Sequence, residues 1–101
     1  MRLADFVINF LEKKKIDTVF TVSGGGSIFL CDALQKSKKL KYVSCHHEQA
    51  VSFAVESYSR VKNKPGAAII TTGPGGTNCT TGVACCWIDS VPTMFISGQV
   101  Y

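Results

Sequence analysis

Four times along this chain a stretch with helical apolar spacing gives way to a short run of apolar or β-branched residues, and few folds accommodate that alternation. Leu3, Phe6, Val7, Phe10 and Leu11 follow the i, i+3, i+4, i+7, i+8 spacing of an amphipathic helix, and Thr18 to Val22 then reads as a strand. Gly24-Gly25-Gly26 breaks that strand. A second helix covers Ile28 to Lys36, and a short strand follows at Tyr42 to Cys45. From Glu48 to Val61 the residues Ala50, Val51, Ala54, Val55, Tyr58 and Val61 give a third helix, with Phe53 widening its buried face.

Lys64-Pro65-Gly66 is a turn signal, and Ala67 to Thr71 is a continuous apolar run of the kind found in strands buried on both faces. After Gly73 to Gly76 a fourth helix runs through Val83, Ala84, Trp87 and Ile88 towards Asp89, where Ser90-Val91-Pro92 ends it. Thr93 to Ser97 is the fourth strand. The order predicts an α/β fold: a parallel sheet covered by helices on both faces, joined by right-handed crossovers. Trp87 and the Phe residues are expected in its core.

Composition narrows the functional classes. At 101 residues the chain is at most one compact unit, and 46% hydrophobic with 18% charged residues is ordinary for a globular domain. No stretch approaches the roughly 20 apolar residues needed to span a bilayer. The early acid Asp5, with three lysines after the apolar stretch, is the wrong order for a secretory signal. Five cysteines (Cys31, Cys45, Cys79, Cys85, Cys86) lack the C-x-x-C spacing of zinc sites, and an odd count cannot pair fully within one chain. Buried, reduced thiols in a cytoplasmic protein are the expectation.

The net charge of +4 invites comparison with nucleic-acid binders. However, Lys13 to Lys15 close one helix, and Lys36, Lys38, Lys39 and Lys41 close another and start a strand, positions favoured by the helix dipole. No aromatic residues alternate with them as a single-strand groove requires. Neither a nucleic-acid nor a membrane partner is expected.

Parallel sheets bind ligands beyond the carboxyl ends of their strands. Three loops lie there: Ser23 to Ser27, His46 to Glu48, and Thr72 to Asn78. Glycines in the first and third let a flat ligand approach the backbone, and Glu48 in the second is an acid that would face them. Burial would raise the pKa of this carboxyl and a helix start would lower it, so its charge state is left open. His46 and His47 are adjacent on an extended segment and point to opposite faces, which argues against a metal pair. Gln99, at the end of the fourth strand, is a candidate substrate contact.

These residues resemble the N-terminal, pyrimidine-binding domain of thiamine-diphosphate-dependent enzymes, in the acetolactate-synthase-like branch. The resemblance runs through Ile16-Asp17-Thr18-Val19-Phe20, Gly24-Gly25, His47-Glu48-Gln49-Ala50 and Lys64-Pro65-Gly66. It continues through Gly73-Pro74-Gly75-x-Thr77-Asn78, Asp89-Ser90-Val91-Pro92 and Ile96-Ser97-Gly98-Gln99-Val100. It implies that Glu48 is catalytic, hydrogen-bonding a ring nitrogen of the aminopyrimidine. By the same resemblance Ser23 and Gly24 approach the cofactor through their backbone, and Thr72, Pro74 and Asn78 line its other side. Thr21 stands where the family commonly has glycine, Ser23 where it has proline and His46 where arginine is frequent. These departures point towards a divergent relative acting on another 2-keto acid or an aldehyde acceptor.

The resemblance further implies thiamine diphosphate as cofactor, with magnesium held by a diphosphate-binding domain whose Gly-Asp-Gly motif does not occur here. FAD is possible, but no residue here supports it. Residues 1–101 are then expected to be part of the pyrimidine-binding domain of a longer protein, since the chain stops after a buried-type strand with no closing helix. Alone it should be inactive, its site completed by the diphosphate domain of a second subunit in a homodimer or homotetramer. The implied activity is that of a carboligase or lyase acting on a 2-keto acid. The rival reading is a non-catalytic nucleotide-binding or regulatory α/β domain with Gly73 to Gly76 around a pyrophosphate, although Asn78 breaks the G-x-G-x-x-G fingerprint.

Overall fold

The computed structural model of the chain describes residues 1–100. Its elements are α1 (Leu3–Lys13), β1 (Thr18–Thr21), a short 3-10 turn (Gly25–Ser27), α2 (Ile28–Lys36), β2 (Lys41–Ser44) and α3 (Glu48–Lys62). There follow β3 (Gly66–Ile70), α4 (Pro74–Asn78), α5 (Thr80–Ile88) and β4 (Thr93–Ser97). The strands form one sheet in the order β2-β1-β3-β4, with every neighbouring pair parallel. This is the α/β architecture the alternating pattern predicts. The chain steps from β1 out to β2 and back across to β3, so the loops leaving β1 and β3 lie side by side where the strand order reverses.

β3 is buried along its whole length, as its unbroken apolar run requires. Ala67 and Ile69 meet Ala4, Ile8 and Leu11 of α1 and Ala33 and Leu34 of α2 on one face. Ala68 and Ile70 meet Val51 and Val55 of α3, with Cys79, on the other. Helices thus cover both faces. No helix among the described residues is long and apolar enough to cross a membrane.

Several expectations need correction. In α1 the inward stripe is Ala4, Ile8 and Leu11, whereas Leu3, Phe6 and Phe10 are exposed. The helix is apolar over more than one stripe, so its periodicity identifies a helix without choosing the buried side. In α3, Ser52 and Ser59 are buried while Ala50 and Val61 are exposed. Small residues are needed there because the neighbouring backbones come close: a Cβ on Gly82 of α5 would lie 2.1 Å from Ser52 Oγ. The Gly66 amide donates to Ser59 Oγ at 2.9 Å. Both hydroxyls donate to carbonyls of their own helix, Ser52 to Gln49 O at 2.7 Å and Ser59 to Val55 O at 2.8 Å, so neither is buried without a partner.

The single fourth helix expected after Gly73 is two, α4 and α5, parted at Cys79. Gly75 and Gly76 weaken the first piece. Finally, Trp87 is 86% exposed, and Phe6, Phe10, Phe29 and Phe53 also reach the surface; only Phe20 and Phe95 pack against the core. The helix α5 is apolar on nearly every side, and burying Gly82 and Cys86 turns Trp87 and Ile88 outward. All five cysteines are free, but only Cys79 and Cys86 are buried.

The Ser52–Gly82 contact gives a direct test. In the full-length protein, Gly82→Ala should lose about 1–3 kcal/mol of stability through overpacking. Gly25→Ala, where a Cβ would meet nothing within 4 Å, should stay within about 0.5 kcal/mol. Urea unfolding midpoints of the two variants decide it.

Candidate functional site at the carboxyl edge of the sheet

Parallel pairing carries the loops after β1, β2 and β3 to one edge of the sheet, and Thr71, the first residue beyond β3, is where they meet. A Cβ on Gly24 would lie 2.5 Å from Thr71 Cβ, and one on Gly75 would lie 2.8 Å from Thr71 Cγ2. The Gly26 amide donates to Thr71 Oγ1 at 3.0 Å. The end of β4 joins the same point, since Ser97 Oγ donates to Thr71 O at 3.1 Å. Beside it the Gly98 amide donates to Ile70 O at 2.8 Å, and a Cβ on Gly98 would strike Gly26 O.

Glu48 opens α3. The preceding residue, His47, caps the helix, its Nδ1 accepting from the Gln49 amide at 3.0 Å. The half-buried Glu48 carboxyl reaches to α4, where Asn78 Nδ2 donates to its Oε2 at 3.0 Å. The Cys79 thiol donates to the Glu48 main-chain carbonyl at 3.3 Å. Glu48 Oε1 points at the glycine turn, 3.8 Å from where a Gly75 Cβ would sit. The expected meeting of an acid with a glycine turn at the sheet edge is therefore present.

The electrostatic question left open by the sequence has an answer. The Asn78 amide, and after it Glu48's own main-chain amide, hold the carboxyl below the usual glutamate range despite the opposing effect of burial; nearby His47 lowers it further. The carboxylate is the favoured form. Cys79 shows the converse: burial, reinforced by the negative charge of Glu48, pushes its thiol up to about 11.

The remaining sequence candidates are distributed unevenly around this centre. Thr72 is half-buried; its carbonyl accepts from the Gly75 amide at 3.3 Å, and its methyl lies 2.9 Å from the Cβ position of Gly26. Gly73, at φ +60°, turns the chain so that the exposed Pro74 can start α4. The space that Gly24 leaves is filled by Thr71. Ser23 is exposed and lines a recess of about 180 Å³ whose other walls include Cys31, Gln35, Tyr42 and Ser44 and do not include Glu48. Gln99 is exposed and donates to Val100 O at 3.0 Å. Thr21, where glycine is common in the family, buries its hydroxyl against Ile69 O at 2.7 Å and so ties β1 to β3.

Two residues that sequence reasoning passed over are central. Thr71 reads as the last residue of a strand, and the only signal of its role is the number of glycines opposite it. Cys79 carries none beyond its place directly after Asn78.

A parallel α/β unit with an acid held against glycine turns at the carboxyl edge defines a ligand-binding domain of the doubly wound type. Residues 1–101 match the thiamine pyrophosphate enzyme, N-terminal TPP binding domain, and the chain belongs to that family. It is 43% identical over 97 residues to the chloroplastic acetolactate synthase of Arabidopsis thaliana, covering 96% of this chain and 14% of that protein. Against the acetolactate synthase of Mycobacterium leprae it is 40% identical over 97 residues, covering 96% and 16%. For the acetolactate synthase isozyme 1 large subunit of Escherichia coli the figures are 35% over 97 residues, 96% and 17%. The chain thus spans only about one-sixth of the length of the curated relatives it matches.

The coupling between Glu48 and Cys79 can be read chemically. With its thiol pushed up to about 11, Cys79 stays protonated near neutral pH and should be the last of the five cysteines to react with iodoacetamide. Removing the neighbouring charge in Glu48→Gln should move the onset of Cys79 labelling to lower pH, as followed by peptide mass spectrometry across a pH series. An unchanged onset would contradict the coupling.

Proposed function

We propose that this chain is the pyrimidine-binding part of a thiamine-diphosphate-dependent carboligase or lyase that acts on a 2-keto acid, as its acetolactate synthase relatives suggest, with Glu48 as its catalytic acid. The observation that carries the reading is the divided carboxyl: Oε2 is taken by Asn78, while Oε1 faces the glycine turn and accepts no side-chain hydrogen bond among the described residues. An aminopyrimidine needs a flat slot and an acid beside one ring nitrogen. Glu48 Oε1 faces the glycine turn as such an acid would, and Gly25 and Gly73 each leave open the space a side chain would take. The residues fit the group.

In this reading Glu48 Oε1 hydrogen-bonds the ring nitrogen, Ser23 and Gly24 contribute backbone, and Thr72, Pro74 and Asn78 border the other side. When bound, thiamine diphosphate would supply a nucleophilic carbon that adds to the 2-keto acid and a cationic ring that takes up the electrons released as carbon dioxide leaves. Glu48 holds a proton at the ring nitrogen and releases it. The ring's arrival excludes water from the carboxyl and raises its proton affinity towards that of the nitrogen, the match that proton sharing needs.

No cluster of three or more metal-ligating side chains occurs among the described residues. By the family resemblance, magnesium and the diphosphate are assigned to a diphosphate-binding domain of a second subunit, in a homodimer or homotetramer, and no FAD contact is assigned to this chain. The free cysteines fit a reducing compartment, of which the cytoplasm is the one proposed. The rival nucleotide-binding reading needs a helix N-terminus to seat a pyrophosphate, and α4, with five residues, is too short to supply much dipole.

The test uses the full-length protein with thiamine diphosphate, magnesium and pyruvate. Glu48→Gln should lower turnover by about 10²- to 10⁴-fold with an unchanged circular dichroism spectrum. Turnover close to wild type in that variant would overturn the assignment.

A further inference from the structure

The last residue of α4 and the residue that follows it both hold Glu48, one by its side chain and one by its main chain. Asn78 Nδ2 donates to Oε2 at 3.0 Å, and Cys79 Sγ donates to the main-chain carbonyl at 3.3 Å. These contacts cross from the start of α3 to the junction beyond the glycine turn, thirty positions away in sequence. We infer that Asn78 and Cys79 form a two-point clamp that fixes the carboxyl of Glu48 so that Oε1, and not Oε2, is the oxygen presented to the ligand. Asn78 is thus a positioning residue acting through Glu48, in addition to bordering the slot. This inference rests on the reading of Glu48 as the catalytic acid.

The chemistry of the two contacts suits the task. A carboxylate has two equivalent oxygens and can flip between them, whereas one charge-assisted donor bound to Oε2 makes them different. An amide is a good choice of donor because it carries no charge of its own and cannot compete for the proton that Oε1 must handle. The carbonyl contact restrains the other end of the residue, where α3 begins. Cys79 is 1% exposed and packs with Val51, Val55, Ala68 and Ile70, so the anchor is itself rigid. The other ionisable groups acting on this carboxyl are few: His47 at the helix cap, and Cys79 itself, whose thiol is held in its protonated form.

The two ends of the clamp predict different readouts in full-length apo-protein. The titration of Glu48 is isolated as the infrared carboxyl difference between each protein and its Glu48→Gln counterpart. Losing the donor in Asn78→Ala should move the midpoint upward, and the isosteric Asn78→Asp, which places a like charge there, should move it further. Removing the thiol in Cys79→Val should leave the midpoint in place and weaken thiamine diphosphate binding about threefold, the scale of one weak hydrogen bond. Cys79→Ser, which keeps a donor, should restore it.

An Asn78→Ala midpoint equal to wild type, with circular dichroism showing an intact fold, overturns the clamp. So does Cys79→Ser binding no better than Cys79→Val. These results are separable from failure of the functional reading itself. If Glu48→Gln keeps full turnover, the catalytic assignment fails; if Glu48→Gln is inactive while the Asn78→Ala midpoint is unmoved, the clamp alone fails.

Discussion

The carboxyl edge of this sheet depends on how closely the loop after β1 lies on Thr71. That contact is steric before it is anything else. A Cβ at Gly24 would come within 2.5 Å of Thr71 Cβ, and one at Gly75 within 2.8 Å of its methyl, so the two loops can share one threonine only because both are bare of side chains there. Thr71 follows directly on β3, which is sealed by helices on both faces and is the most constrained strand of the sheet. The site is hung from that strand. Functional groups built on such elements hold their geometry better than groups on free loops.

The polar contacts are arranged on this frame. Gly26, Ser97 and Thr71 are linked by hydrogen bonds, which brings the loop after β1 and the end of β4 to the same residue. The Glu48 carboxyl then enters from α3 and is received by Asn78. Burial alone would push this acid towards its neutral form. A single well-placed amide and the start of a helix reverse that preference, which shows how local donors outweigh partial desolvation. A charged oxygen is thereby held facing a turn that carries no side chains.

The element order was legible from sequence because each boundary is marked by a residue with its own conformational demand. Helix α2 and strand β4 lie where the sequence places them, Ile28–Lys36 beginning after the glycine run and Thr93–Ser97 falling between Pro92 and Gly98. The meeting of Glu48 with the Gly73–Asn78 turn also followed from the sheet's parallel order. Packing was less legible. In α5 the apolar residues surround the helix and in α1 they form a face wider than the core needs, and nothing in their spacing says that Ala4 and Gly82 face inward while Phe6 and Trp87 face out. Ser52 and Ser59 are buried because Gly82 and Gly66 approach them, a long-range fact that local polarity obscures. At the site, glycines announce a close approach without naming what fills it, so Thr71 could not be found in advance.

The central claim is that one oxygen of Glu48 reaches a ring nitrogen of a bound aminopyrimidine while Asn78 holds the other. A crystal structure of the full-length protein with thiamine diphosphate and magnesium tests it most directly. The account predicts Glu48 Oε1 within hydrogen-bonding distance of the ring nitrogen, with the Asn78 contact to Oε2 retained. A cofactor seated elsewhere, or a Glu48 carboxyl turned away from the ring, would contradict it.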